Sequence, residues 1–166
     1  MPHSYPVSKL MVDRREWPQL RAATKIKDAI RILRILSEDK KLMHGHSTPL
    51  VLDDDYNLLG FIQLIDLLRS VRHLCDEEGK ACELGKALNP VSDIVIEFGA
   101  TVSPDESILQ ALDVMVNGRF SLLPVTEKGK LLGLVKLSDV FNTVAALLFD
   151  QEEPKDQSLL SRFLHP

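Results

Sequence analysis

Apolar and polar residues follow one another along this chain in a pattern that occurs twice. Two rows of apolar residues at helical spacing predict two similar helices. The rows are Ile26, Ala29, Ile30 and Leu33, and then Ile108, Ala111, Leu112 and Met115. After each row come two short, almost wholly apolar runs on either side of a polar turn, which predict a β-hairpin covered on both faces. Another apolar helix ends each unit. We therefore predict an α/β fold built from two copies of one unit.

The two units also match segment by segment. The matching segments are residues 7–12 with 91–96, 26–30 with 108–112, 48–51 with 123–126, and 58–62 with 131–135. Gly60 and Asp66 are six positions apart, and so are Gly133 and Asp139. Repetition of this kind predicts a tandem architecture. We expect a first repeat at 1–75, a linker at 76–89, a second repeat at 90–150, and a polar tail at 151–166 with a short apolar stripe.

Two serines are candidate helix caps in the second repeat. Ser103 precedes Pro104 and two acids, which is the usual composition of a helix start. Ser138 stands at the start of the helix that closes the repeat. We therefore predict that the two helices of this repeat begin immediately after these serines.

Composition narrows the class of protein. Hydrophobic residues make up 45% of the chain and charged residues 27%, which is typical of a folded globular protein and not of a disordered one. The net charge of −4 argues against a nucleic-acid partner, because binding to phosphates normally needs a basic surplus. No apolar run is long enough to cross a bilayer, so we expect no membrane partner.

The cysteines and the catalytic motifs add two further expectations. Cys75 and Cys82 form no C-x-x-C pair. Without a recognisable signal peptide, they are expected to be reduced thiols in a cytoplasmic protein. The chain has no G-x-S-x-G, H-E-x-x-H, Walker or G-x-G-x-x-G motif. We therefore expect a protein that is not an enzyme, with no cofactor and no bound metal.

The best-defined motif lies in the second repeat. Leu123-Pro124-Val125 is followed by a polar turn, by Leu132-Gly133-Leu134-Val135, and by Asp139 ahead of an apolar helix. With its first-repeat counterpart, this resembles a tandem pair of cystathionine-β-synthase (CBS) domains, or Bateman module, over residues 7 to about 149. The resemblance implies two β-α-β-β-α repeats with pseudo-two-fold symmetry, assembled as a disc-shaped homodimer. It also implies clefts that hold AMP, ADP, ATP or S-adenosylmethionine.

The resemblance further implies which residues bind the ligand. Asp66 and Asp139 take the place of the carboxylates that hold the ribose hydroxyls, a role that an acceptor-only group suits. Where the family has a serine or threonine, this chain has Gln63 and Lys136, and the lysine offers a point charge to a phosphate. The candidates for an apolar wall against the purine are Ile94, Ile96, Leu122 and Pro124. Their candidate counterparts in the first repeat are Val12 and Pro49. Arg119 is a candidate ligand for a phosphate.

Two functions are consistent with this pattern. The first is a stand-alone regulatory module that binds an adenosine-containing ligand between its repeats and passes its ligand state to a partner protein. The alternative is a ligand-free dimerisation scaffold with degenerate clefts, motivated by Gln63 and Lys136. In that case Asp66 and Asp139 are simply acids that stabilise the N-termini of helices.

Overall fold

Four α-helices and six β-strands make up the part of the chain that the computed structural model describes, residues 5–38, 48–72 and 88–149. The helices are α1 Ile26–Glu38, α2 Leu64–Val71, α3 Ile108–Gly118 and α4 Leu137–Phe149. The strands are β1 Val12–Asp13, β2 Gln19–Arg21, β3 Leu50–Leu52, β4 Leu58–Phe61, β5 Leu122–Glu127 and β6 Lys130–Lys136. The two cysteines, most of the predicted linker and the predicted tail lie outside the described residues.

Both predicted helix caps in the second repeat are wrong. Helix α3 begins at Ile108, where the Ser107 side chain accepts the backbone N–H of Gln110 and the Gln110 side chain accepts that of Ser107. This reciprocal capping box satisfies two N–H groups that the helix itself leaves unpaired. Ser103 instead belongs to a separate turn, in which its N–H donates to the Glu106 carboxylate. Ser138 lies inside α4, which begins one residue earlier.

Two three-stranded sheets carry the repeats. Their strand orders are β2-β3-β4 and β1-β6-β5, and β3-β4 and β5-β6 are the predicted antiparallel hairpins. Phe61 pairs with Leu50, and the matching residue Leu134 pairs with Pro124. Leu50 is therefore the structural equivalent of Pro124. The sequence comparison matched Pro49 with Pro124, which is wrong by one residue.

The first segment of each repeat packs against the other repeat and pairs with its sheet. We call residues 7–12 and 91–96 the leading segments. The N–H of Val7 donates to the carbonyl of Glu106, and the N–H of Val91 donates to the carbonyl of Thr24, both at 2.8 Å. Val12 then pairs with Leu134 in the second sheet, whereas Ile96 pairs with Phe61 of the first. Residues 1–75 and 90–150 are repeats in sequence, but neither segment contains the whole of one core.

The glycine of the repeat motif makes this crossing possible. A Cβ atom at Gly133 would meet the backbone carbonyl oxygen of Val12, and one at Gly60 would meet that of Ile96. Backbone atoms cannot move aside as a flexible side chain can, so both positions need a residue without a side chain. The matching glycines therefore mark where the two repeats interlock.

Three apolar clusters hold the structure together. Val7 joins the core of the second repeat beside Ile108 and Ala111, and Val91 joins the core of the first. A third cluster, which we call the inter-repeat core, contains Leu50 and Leu134 from the two sheets and Trp17 from the segment between β1 and β2. Because successive residues of a strand face opposite sides of a sheet, the strands serve both kinds of core, which confirms the prediction that both faces are covered. Among the described residues, no helix combines the length and apolar character that crossing a bilayer requires.

Candidate functional site

A cleft opens between the two repeats at the end of the inter-repeat core where β4 ends and β5 begins. Its volume is about 220 Å³, and we call it the inter-repeat cleft. Its lining residues come from both repeats: Thr48, Phe61, Ile62, Gln63, Leu64, Ser121 and Leu122. Ligand pockets usually measure about 300–1,000 Å³, so the cleft is smaller than a typical small-molecule site.

Helix N-termini lie at the same end of the sheets. Gln63 occupies the cap position of α2, and its side chain makes no capping hydrogen bond. In the second repeat the N–H of Leu137, the first residue of α4, donates to the carbonyl of Ser121 at 2.9 Å. This bond fixes the start of α4 beside the start of β5. The cleft therefore adjoins positions where backbone N–H groups favour negative charge.

Lys136 lies next to the cleft because of the strand register. It is directly opposite Leu122 in the β5-β6 hairpin. Residues directly opposite in an antiparallel pair point to the same face, with Cβ atoms about 4.5–5.5 Å apart. Leu134, two residues earlier on the same face, is fully buried in the inter-repeat core. The register therefore places Lys136 beside a lining residue of the cleft, but neither Lys136 nor Asp139 is itself a lining residue.

The two predicted carboxylates lie in the first turns of α2 and α4, and each makes a local ion pair. Asp66 Oδ1 accepts a hydrogen bond from the Arg69 guanidinium at 2.6 Å, and its side chain is 17% exposed. Asp139 Oδ2 lies 3.5 Å from Lys136 Nζ, with the two side chains 31% and 21% exposed. A ribose hydroxyl approaching either carboxylate would have to share it with this cation or displace it. Ribose binding by these residues remains a prediction.

The predicted apolar wall is not one surface. Leu122 lines the inter-repeat cleft, but Pro124 lines a different hollow at the opposite end of the strands. Ile94 packs against the core of the first repeat, and Ile96 pairs with Phe61 there. Ile94 and Ile96 lie with the first repeat because the second leading segment crosses to it, and purine binding by these four residues remains a prediction.

Three further predicted residues have other positions. Val12 pairs with Leu134 and contacts the inter-repeat core, as its crossing leading segment requires. Pro49 is buried, and its carbonyl accepts the N–H of Ile62 at 3.0 Å. Arg119 ends α3 in the left-handed conformation with φ of 55°, and its side chain is exposed three residues before β5 begins. It is therefore at the same end of the sheet as Leu122.

Sequence reasoning missed five lining residues of the cleft. Thr48 and Ser121 add hydroxyl groups at the approaches to β3 and β5, and Phe61, Ile62 and Leu64 add apolar surface. A signal was present for Thr48, which belongs to the repeated segment 48–51. Ser121 precedes the matched segment of its repeat, so the repeat comparison gave no signal for it.

The hollow at the opposite end, between the hairpin turns, is larger at about 520 Å³. Asp53 organises the neighbouring turn, since its carboxylate accepts the N–H groups of Asp55 and Asn57 and the side-chain amide of Asn57. These hydrogen bonds, the Asn57 side-chain amide foremost, lower the pKa of Asp53 below its ordinary value. Among the described residues, no group of three or more His, Cys, Asp or Glu side chains is arranged to hold a metal ion.

Comparison with known families identifies the second repeat. Residues 90–146 match the family model described as CBS domain. This range includes the second leading segment, the hairpin and Asp139. A search of curated proteins gave no match.

Solved structures share the fold along most of the chain. A CBS domain-containing protein from Bacillus anthracis has a TM-score of 0.65 at 17% identity, covering 86% of this chain and 95% of its own. CBSX2 in complex with AMP has a TM-score of 0.61 at 21% identity, covering 87% and 98%. The cytosolic domain of the Mg2+ channel MgtE in complex with ATP has a TM-score of 0.60 at 22% identity, covering 83% of this chain and 48% of that one. At these identities, the comparison shows a common fold.

Proposed function

We propose that this chain, whose residues 90–146 match the CBS domain model, is a regulatory module that binds an adenine nucleotide in the inter-repeat cleft. Binding alters contacts with a partner protein, and the module itself catalyses no reaction. Two solved structures of the same fold hold AMP and ATP, which supports this class of ligand.

The observation that carries the proposal is the position of Asp139 beside Lys136 at the cleft end of the second sheet. An ionised carboxylate accepts two hydroxyl donors at once, as a ribose presents them. Apolar surface for a purine is available in the cleft from Phe61 and Leu122, and Leu122 pairs with Lys136 in the β5-β6 hairpin. Lys136, with Arg119 at the same end of the sheet, supplies positive charge for a phosphate.

The small size of the cleft means that ligand binding changes the conformation of the protein. At about 220 Å³ the cleft must widen to admit a whole nucleotide. The ligand then has different affinities for the narrow and the wide states, and only such a difference shifts the balance between two conformations. The interlocked leading segments connect both sheets, so widening the cleft moves one repeat relative to the other.

Thermal unfolding with a ligand panel tests the proposal. AMP, ADP, ATP or S-adenosylmethionine, at about 100 times its dissociation constant, is expected to stabilise the fold by about 2.7 kcal/mol. Asp139→Asn should abolish the shift in midpoint. The matched control is Asp105→Asn, which removes an exposed acid from the turn before α3 and should leave the shift intact. If no adenosine compound moves the midpoint, the protein is instead a scaffold with degenerate clefts.

We further propose that the module assembles as a homodimer through its closing helices. Both leave apolar side chains uncovered: Leu68 of α2 is 59% exposed and Phe141 of α4 is 67% exposed. Leu137, Phe141 and Leu148 follow helical spacing, so they form one stripe along α4. A second copy related by a two-fold axis covers both helices with equivalent surface.

Light scattering coupled to size exclusion tests the assembly. The protein is expected to elute with twice the mass of one chain, and Phe141→Glu is expected to give a monomer. The control is Val116→Glu, which places the same charge at an equally exposed apolar position of α3. A wild-type monomer at micromolar concentration would contradict the dimer without affecting the nucleotide proposal.

A further inference from the structure

A trough lies between the two hairpin turns, at the end of the sheets opposite the inter-repeat cleft. It consists of two adjoining hollows of about 520 and 260 Å³. The hollows share four lining residues: Asn57, Leu58, Gly129 and Leu131. The larger hollow extends to Glu97 and Thr101, and the smaller one extends to Arg14. All three of these residues are exposed, so the trough is open to solvent at both ends.

Two chain segments that cross between the sheets form the ends of the trough. Residues 14–18 lead from β1 in the second sheet to β2 in the first. Residues 97–101 lead back from the first sheet to Val102, which pairs with Val125 of β5. Across the second sheet, three strand spacings, or about 14 Å, therefore separate residue 14 beside β6 from residue 101 beside β5.

The two ends of the trough have opposite charge. Arg14 and Lys130 line the smaller hollow beside one acid, Asp55, which leaves an excess of one positive charge there. Among the described residues that line the larger hollow, Glu97 alone is charged. Within the described ranges, Arg14, Lys130 and Glu97 form no ion pair. A ligand can therefore pair with these charges without displacing an existing partner.

Between its charged ends the trough offers apolar surface and hydrogen-bonding groups. Leu58, Phe98 and Leu131 are half-buried lining residues that pack against the inter-repeat core. The Asn57 amide and the Thr126 hydroxyl can pair with the N–H and C=O groups of a bound chain. Small-molecule sites usually bury 70–90% of their ligand, roughly, which an open trough cannot do. These features favour an extended segment of polypeptide.

We propose that the trough binds an extended peptide of a partner protein, with a basic side chain at Glu97, apolar side chains in the middle, and an acidic side chain at Arg14 and Lys130. Four extended residues span about 10 Å between their outer Cα atoms, and the long side chains at the two ends cover the remaining distance. The charged ends select the sequence, because complementary charge mainly confers specificity. The proposal does not depend on nucleotide binding, since the trough and the inter-repeat cleft have no described lining residue in common.

An NMR titration with synthetic peptides tests the proposal. Acetyl-Lys-Leu-Leu-Glu-amide is expected to bind about tenfold more tightly than acetyl-Gln-Leu-Leu-Gln-amide, as two exposed ion pairs allow. The difference should shrink as salt is raised, since salt screens exposed charges. The backbone amide signals that shift should be those of residues 14–16, 55–59, 97–101 and 126–131.

Variants assign the charge selection to the two ends. Glu97→Gln and Arg14→Gln should each weaken binding of the charged peptide about threefold. Glu97→Lys should reverse the preference, so that acetyl-Glu-Leu-Leu-Glu-amide binds more tightly than acetyl-Lys-Leu-Leu-Glu-amide. The matched controls are Glu127→Gln and Arg31→Gln, which remove exposed charges that do not line the trough. Both controls should leave the affinity unchanged.

Several outcomes would contradict the peptide site. It is wrong if the neutral peptide binds as tightly as the charged one, or if Glu97→Lys leaves the preference unchanged. It is also wrong if free lysine binds as tightly as the peptide, because the trough would then be a small-molecule site. Shifted signals around the inter-repeat cleft, or no binding at millimolar peptide, would overturn it as well. None of these results affects the nucleotide proposal.

Discussion

The two repeats share their topology and differ in the chemistry at their edges. Ala29 and Ala111 are both completely buried at matching positions of α1 and α3. In contrast, Gln63 and Lys136 occupy one equivalent position with unlike side chains. Core positions are constrained by close packing, which a change of even one methylene disturbs. Gln63 and Lys136 lie outside the buried apolar clusters, so the fold tolerates different side chains there.

The carboxylates illustrate the same contrast. In the first repeat the cation beside Asp66 is Arg69, which is 63% exposed one helical turn further on. In the second repeat the cation beside Asp139 is Lys136, which comes from the strand and is mostly covered. The cation that pairs with the aspartate therefore comes from the helix in the first repeat and from the strand in the second. This difference teaches that a duplicated fold does not imply two equivalent sites.

The largest expected effect comes from the interlocking glycines, where an added Cβ would meet the backbone in both repeats. Gly133→Ala would place a Cβ against the carbonyl oxygen of Val12, and Gly60→Ala would place one against that of Ile96. Forcing atoms into a packed region typically costs about 1–3 kcal/mol. We expect each variant to lose about 2–3 kcal/mol of stability in denaturant unfolding.

Gly129→Ala is the control for these glycines. Gly129 lies in the β5-β6 turn with φ of 78°, and no atom lies within 4 Å of an added Cβ. It should cost only about 1–2 kcal/mol, the penalty for the left-handed conformation. If Gly133→Ala were no more harmful than Gly129→Ala, the close crossing at β6 would be contradicted.

The crossing of the leading segments gives the next prediction. Val7 and Val91 are fully buried, each in the core of the opposite repeat. Val7→Ala should therefore lower stability by about 1–2 kcal/mol, from two buried methyl groups. Native-state hydrogen exchange should show the greater loss of protection in α3 and β5. Val91→Ala should have its greater effect in α1 and β3.

The result that would contradict the crossing is the reverse pattern. If Val7→Ala increased exchange mainly in α1 and β3, the first leading segment would pack within its own repeat. Hydrogen exchange distinguishes the two cases because it reports local as well as global opening.

The helix starts differ between the repeats and give a smaller effect. Ser107 caps α3, whereas the matching position before α1 is Lys25, which has no side-chain acceptor. Ser107→Ala should cost about 1 kcal/mol, and Lys25→Ser should stabilise the fold by about 0.5–1 kcal/mol. Both are measured as shifts in the denaturant midpoint at constant slope. Stabilisation by Ser107→Ala would contradict the capping box.

The smallest effect is expected at a turn of the first repeat that has no counterpart among the described residues of the second. Between β1 and β2, residues Arg14–Glu16 form a 3-10 turn in which Asp13 accepts the side chain and the N–H of Arg15. These hydrogen bonds lower the pKa of Asp13 from 3.8 to about 2. The folded state binds this proton more weakly than the unfolded state, so the contribution is present above pH 4 and is lost as pH falls toward 2.

A carboxyl NMR titration of Asp13 measures this pKa directly. Arg15→Gln should return it toward its ordinary value with little change in stability, because the pair is exposed. An unshifted pKa in the wild-type protein would show that the hydrogen bonds do not persist in solution.

The sequence predicted the repeat, its helices and its hairpins, because these depend on local spacing. Period-3.6 rows and short apolar runs identify elements wherever the rest of the chain lies. It also placed Asp66 and Asp139 at helix starts, since both follow a strand within a few residues. The cap at Ser103 failed because Ser107 and Gln110 form a reciprocal pair that satisfies more N–H groups.

The sequence by itself determined that one α/β unit is written twice, because apolar periodicity is a property of neighbouring residues. Only the tertiary structure decided that Val7 and Val91 cross to opposite cores, and that Ile94 and Ile96 therefore leave the predicted wall. It also decided the register that brings Lys136 beside Leu122. Pairing between distant segments depends on which surfaces fit together in three dimensions, and spacing along the chain does not contain that information.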